Sequence, residues 1–295
     1  MEGINLSSLM QYLISGIALG TIYGLIAIGY NVSFKGTGII NFSQGDFVVL
    51  GGLTTAYLHN KLGVPLFLAI ILALSLCGTL GTLIARFIIQ PRRHLPPFDL
   101  TMMTFALAII MQAMALIIFS YDPLYYPSFF PGSIKLLGGY MSYHAIFILI
   151  LSILLIVLLR VFFKKNRLGR GMIANSINTL AATSVGIDVN KVSLMSFAMG
   201  TFLGGLGGVL VTPINSITFS AGLSYALKGM TASVIGGMGN ITGALVGGLL
   251  LGLVEALACG FISSGYKDAI SLILLILFLI FRPQGIFGVH KDRKA

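Results

Sequence analysis

Apolar runs long enough to cross a bilayer recur along almost the whole of this chain, and they leave it few ways to fold. Runs at 9–30, 64–89, 100–119, 141–163, 192–211 and 241–259 each approach or exceed the roughly 20 residues that span a hydrocarbon core. A shorter run at 268–281 is read as the last span. Only 9% of the 295 residues are charged, against about 25% in a soluble domain, so no aqueous fold can cover this much apolar surface. The period-two alternation of a membrane β-barrel is absent. The chain reads as an all-α polytopic membrane protein, a single transmembrane domain over residues 1–295 with about eight to nine helical segments.

The net charge of +10 would suit nucleic acid if the basic residues formed one patch. They cluster instead at 86–93, 164–170 and 282–294, each beside an apolar run. That is the positive-inside pattern. It predicts that these segments, including the tail 282–295, face the cytoplasm, with the lipid bilayer and no nucleic acid as partner. The stretch 121–140 is rich in Tyr, Phe, Pro and Gly with one Lys. Aromatic residues gather at the membrane–water interface, so this stretch is placed on the opposite side. No basic segment precedes the first run, so that run is expected to stay in the membrane rather than be cleaved. Cys77 and Cys259 lie in apolar runs and read as small buried residues, not as a disulfide.

Glycines recur every four residues at Gly16, Gly20 and Gly24, and again at Gly200, Gly204 and Gly208. Such stripes let helix backbones approach closely. The stretch 31–46, NVSFKGTGIINFSQGD, is too polar for a lipid-facing helix and too apolar for an ordinary loop. Broken backbone at membrane depth survives where protein or a water-filled path surrounds it. Asn41, Ser43, Gln44 and Asp46 are therefore candidate path residues, the alternative being a short cytoplasmic loop. A second short apolar segment, 226–238, ends in a turn cluster that supplies Gly236, Gly237 and Gly239. Residues 9–58 and 192–239 share one pattern: a glycine-spaced span, a break and a short helix. Counting crossings from the basic loops gives the copies opposite directions, a weak inverted repeat of the kind found in transporters. The count puts the N-terminus outside, or inside if 31–46 forms a full hairpin.

The longest polar interval, 164–191, begins with Lys164, Lys165, Arg167 and Arg170. Its middle is made of small and amide residues and predicts a short helix lying on the membrane surface. Chemistry of other kinds is missing. No Gly-Lys dipeptide occurs, so there is no Walker phosphate loop. His59, His94, His144 and His290 are scattered near the ends of runs, without ligand spacing. Glu255 is the only charge in its run and reads either as a path carboxylate or as an outer-interface residue. A transporter-like body without an ion relay or a nucleotide site is expected to take its energy from a partner, and enzymatic catalysis is not expected.

Three stretches carry a family resemblance: GTIYGLIAIGY at 20–30 with GIINFSQGD at 38–46, GGMGNITGALVGGLLLGLVE at 236–255, and FRPQGIFG at 281–288. Over residues 9–288 the chain resembles the permeases of bacterial branched-chain amino-acid ABC importers. The resemblance implies that 164–191 is the coupling loop docking onto an ATPase. Arg170, Ala174, Ala181, Gly186 and Ile187 stand where the family's loop pattern has similar residues. It implies two ATP-binding subunits, a second related permease, an extracytoplasmic amino-acid-binding protein and a bacterial cytoplasmic membrane. It also implies alternating access through the glycine-rich breaks, with ATP used by the partners and no cofactor held by this chain. Asn175-Ser176 and Thr242 depart from the family pattern, where an acidic residue and a proline are common. An importer permease for an amide, urea or sugar, and a self-sufficient carrier or channel, are the alternatives.

Overall fold

The computed structural model describes residues 6–136 and 138–288. Residues 289–295 of the tail, with His290, lie outside the described residues. Among the described residues eleven α-helices are formed: α1 (Leu6–Thr37), α2 (Gln44–Asn60), α3 (Leu66–Ile84), α4 (Pro97–Phe119), α5 (Tyr143–Lys165), α6 (Arg167–Ile177), α7 (Thr179–Ser184), α8 (Val189–Val211), α9 (Gly222–Gly236), α10 (Ile241–Phe261) and α11 (Lys267–Phe281). α3 continues through a π turn, Ala85–Ile89, toward Arg92. Among the described residues seven stretches are long and apolar enough to cross a membrane, built on α1, α3, α4, α5, α8, α10 and α11. The chain is a multi-pass membrane protein. α6 and α7 are separate helices in the polar interval where one surface helix is predicted.

Helix starts follow local chemistry. Asn166, Asn178, Asp188 and Asn240 each turn a side-chain oxygen onto the first free amides of α6, α7, α8 and α10, which have no partner within the helix. α4 starts at Pro97, whose missing N–H costs nothing at a first helical position. Asp99 therefore sits within the first turn of α4 rather than capping it.

α1, α2, α8, α9 and α10 form the interior. α3, α4, α5 and α11 surround them and expose Phe67, Ile109, Ile117, Leu154, Ile273 and Ile280, the outward apolar face that lipid requires. α1 and α10 run antiparallel with their glycines facing. A methyl group on Gly20 would fall 2.7 Å from the Gly248 carbonyl oxygen, and one on Gly16 would fall 3.0 Å from that of Gly252. α2 runs alongside α8 in the same direction, with Gln44 near Gly200, Gly51 near Gly205 and Gly52 near Thr212. α9 runs alongside α1 in the same direction, with Gly229 against Ile26 and Ser233 against Asn31. Each short helix thus packs on the long helix of the other copy. The two copies are antiparallel and interlocked.

One end of the bundle collects the basic clusters. Contacts from Gln90 to Asn190, from Asn175 to Gly36 and from Lys35 to Gly239 tie α3 to α8, α6 to α1 and α1 to the turn after α9 there. At the far end, the aromatic stretch forms a small antiparallel hairpin, β1 (Ser133–Leu136) with β2 (Gly139–Ser142). No strand is expected there from the sequence. Gln11 of α1 pairs with the edge of β2 through Tyr140.

The first break is shorter than the polar stretch predicts. α1 stays helical through Thr37, and only 38–43 leave helical geometry. Asn31, Ser33 and Lys35 are tolerated in a helix because they face protein rather than lipid, and Asn31 and Lys35 find partners across the bundle.

Candidate functional site

Around the first break the chain gathers Asn41, Ser43, Gln44 and Asp46, all buried. The Ser43 hydroxyl donates to Asn41 Oδ1 at 2.7 Å, and Gln44 Nε2 donates to the Gly200 carbonyl at 2.8 Å. The Phe42 amide donates to Thr104 Oγ1 at 2.9 Å, fastening the break to α4. The glycine stripe of α8 makes room here, since the Gln44 side chain lies where a methyl on Gly204 would be. Asp46 stands in the first turn of α2, where the helix dipole favours an anion, and its carboxylate abuts Gly222 at the start of α9. Asn41 Nδ2, Gln44 Oε1 and the Tyr30 hydroxyl are buried without a protein partner. A polar set left this open suits transient partners better than a permanent core.

The second break is held from α1. Asn31, fully buried, donates from Nδ2 to the Asn240 carbonyl at 3.0 Å, and its Oδ1 accepts from Ser233 Oγ at 2.5 Å and the Gly239 amide at 2.9 Å. Gly237 and Gly239 adopt φ of 100° and 82°, a region that side chains avoid. Residues 282–288 fold back over this turn. The Ile286 and Phe287 amides donate to the Ile235 and Gly236 carbonyls, and Asn240 Nδ2 donates to the Phe287 carbonyl. These bonds satisfy carbonyls that the end of α9 would otherwise leave bare. Gly236 and Gly237 thus meet the FRPQGIFG segment, an association visible beforehand only as two separate motifs, while Gly239 meets Asn31 and Lys35 of α1.

The two sets are not one cluster. Asp46 meets the first residue of α9, and the second break follows its last. Fifteen helical residues separate them by about 22 Å. The latch role of Asn31 is not readable from the sequence, where it stands only at the head of a polar stretch.

The polar interval forms a shelf of two helices at the basic end. Arg170, Ala181 and Gly186 are exposed, while Ala174 and Ile187 are half-buried. Gly186 ends α7 with φ 80°. Its amide bonds the Thr183 carbonyl, and the Ile187 amide bonds the Ala182 carbonyl. This is a Schellman turn that returns Ile187 to the core. Ile177, Leu180 and Val185 project outward, 70%, 80% and 75% exposed. Asn175 Nδ2 donates to the Gly36 carbonyl at 2.7 Å, joining the shelf to α1. Asp188 closes the shelf, and the Lys191 amide bonded to its carboxylate holds its pKa below the ordinary value.

A fourth constellation lies between α1, α9, α10 and α11. Lys228 Nζ sits 3.0 Å from Glu255 Oε1 and 3.2 Å from Asp268 Oδ1. The Tyr23 hydroxyl donates to Glu255 Oε1 at 3.1 Å. Glu255 is 1% exposed, so its carboxylate is enclosed by protein rather than turned to lipid. Lys228 was not singled out from the sequence. The available signal was a lone lysine inside a short, small-residue apolar helix.

Residues 12–279 match the protein family described as branched-chain amino acid transport system / permease component. The high-affinity branched-chain amino acid transport system permease protein BraD of Pseudomonas aeruginosa is 30% identical, over 97% of this chain and 98% of its own. The corresponding LivH protein of Escherichia coli K12 is 29% identical over 97% of each chain. The ribose import permease protein RbsC of Haemophilus influenzae is 33% identical, but over 40% of this chain.

Proposed function

This chain belongs to the permease components of branched-chain amino acid transport systems, and from that premise we propose that its α6–α7 shelf receives the force that drives transport. It is the membrane-spanning, non-catalytic component of an ABC system. Two ATP-binding subunits dock beneath residues 164–191, with Arg170, Ala174, Ala181, Gly186 and Ile187 shaping the contact. A second, related permease completes the membrane unit. An extracytoplasmic binding protein delivers a branched-chain amino acid at the far end. The basic end, with residues 282–295, faces the cytoplasm of a bacterial inner membrane, as the positive-inside pattern supports.

The observation that carries this reading is the exposed apolar edge of the shelf, Ile177, Leu180 and Val185, on helices bonded to α1 through Asn175. A helical edge of this kind suits a groove on a partner. Movement of the shelf passes to α1 at Gly36, one turn beyond the Asn31 latch, and so to the second break. The amino acid passes the breaks, where Asn41, Ser43, Gln44 and Asp46 and the backbone at Gly236, Gly237 and Gly239 offer polar contacts in succession. ATP is consumed by the partners, and this chain holds no cofactor.

The test is Ala181→Glu, which puts a charge on the exposed face of α7. ATP-binding subunits are expected to stop co-purifying and ATP-driven uptake to stop, while the permease still inserts. Normal uptake by this variant would remove the shelf from the mechanism.

A further inference from the structure

Lys228, Glu255 and Asp268 form a graded series from interior to surface. Glu255 is 1% and Lys228 7% exposed, whereas the Asp268 side chain is 67% exposed. The series opens at the first turn of α11, toward the far end of the bundle. One ammonium serves two carboxylates, so the cluster carries a net negative charge. Tyr23 donates to Glu255 Oε1 and Ser224 donates to Asp268 Oδ1, but Glu255 Oε2 is buried without a partner. Tyr23 also presents its ring to Lys228 Nζ, 5.3 Å from the ring centre.

Membrane helices do not need such a group to pack. Ionisable residues inside membrane-spanning helices are rare and mark functional paths, and a buried ion pair is seldom more stable than an apolar replacement. What the cluster offers is one committed cation, one half-satisfied buried carboxylate and one removable surface carboxylate. An α-amino acid carries the complementary pair, an ammonium and a carboxylate on one carbon.

We propose that Lys228 and Glu255 form a binding site for a zwitterionic α-amino acid, and that Asp268 holds the place of the substrate carboxylate while the site is empty. This rests on the reading of the chain as an amino-acid importer permease. The entering carboxylate replaces Asp268 on Lys228, and Asp268 moves outward into solvent on the end of α11. The ammonium meets Glu255 Oε2 and supplies its missing donor. No net charge enters the membrane body, because a zwitterion exchanges ion-pair partners instead of adding a charge. The groups involved address the two charges shared by all α-amino acids.

The experiment is thermal unfolding of the full chain in lipid nanodiscs with leucine, isocaproate (leucine without the ammonium) or isoamylamine (leucine without the carboxylate). A ligand that binds the folded state raises the melting temperature according to its concentration relative to its dissociation constant. Leucine is expected to stabilise the wild type more than either analogue. Asp268→Asn frees Lys228, so half-saturation by leucine and by isocaproate is expected at several-fold lower concentration. Lys228→Met is expected to lose both responses, and Glu255→Gln to lose the preference for leucine over isocaproate. A purely structural strut gives the opposite sign: Asp268→Asn lowers the melting temperature and leaves the leucine response unchanged or weaker. That result, or a leucine response retained in Lys228→Met, overturns the proposal. Because Asp268 is exposed, its variant still tests the idea if Lys228→Met fails to fold. Co-purifying ATP-binding subunits without a leucine response would overturn this site alone. A leucine response without those subunits would instead remove the shelf reading.

Discussion

Asn31 shows how much one amide can hold when lipid surrounds the fold. Its side chain bonds Asn240, Gly239 and Ser233 at a place where the backbone is not helical. No water at membrane depth replaces those bonds. Asn31→Ala leaves the Gly239 amide and the Ser233 hydroxyl without partners, while the Asn240 carbonyl keeps the Ala244 amide. Each buried unsatisfied group costs about 1–3 kcal/mol, so a loss of about 2–4 kcal/mol is expected, allowing for relaxation. Denaturant unfolding in mixed micelles would measure it, and an unchanged midpoint would show that the break needs no latch. At this scale the sequence announces that a polar residue is out of place, as it does for Asn31 and Lys228. It does not announce the partner, which lies more than 200 residues away for Asn31 and 27 away on another helix for Glu255.

Glycine stripes decide the packing of elements. α1 carries Gly16, Gly20 and Gly24 against Gly252 and Gly248 of α10, and the stripes mesh because the helices run in opposite directions. A methyl on Gly248 would lie 2.6 Å from the Gly20 carbonyl oxygen, closer than any rotamer can relieve. Gly248→Leu is therefore expected to separate the two helices and abolish the monodisperse protein on size exclusion. Gly78 of α3 supplies the control, since the nearest atom to an added methyl is 3.8 Å away. Gly78→Ala is expected to leave the protein intact or to stabilise it by about 0.5–1 kcal/mol. The stripes were legible as four-residue spacing. Which stripe met which was not, because spacing defines a face and not its partner. The Gln44 side chain fills much of the space that the second stripe, on α8, creates.

At the centre of the molecule lie two antiparallel copies of one motif, α1–α2 and α8–α9, each short helix lodged on the other copy's long helix. This interlock sets the first break beside the middle of α8 and the second at the basic end of α1. Sidedness is the property of the whole molecule most open to test. In a background with Cys77 and Cys259 replaced by alanine, Lys135→Cys in the hairpin is expected to react with a membrane-impermeant maleimide added to intact cells. Lys164→Cys at the head of the shelf is expected to react only after the membrane is opened. The reverse pattern would put the shelf on the wrong side for an ATPase.

Composition and the positions of charge were enough to make this chain a helical membrane protein, to group its basic loops on one side and to locate the shelf. These follow from one-dimensional rules, because a hydrocarbon core rejects unpaired backbone and unpaired charge wherever they occur along the chain. The pairing of Lys228 with Glu255, the latch at Asn31 and the return of residues 282–288 over Gly236 came only from the folded chain. A hydrogen bond or an ion pair depends on distance in space, and the glycine-lined contacts that bring these residues together are formed by helices far apart in the chain.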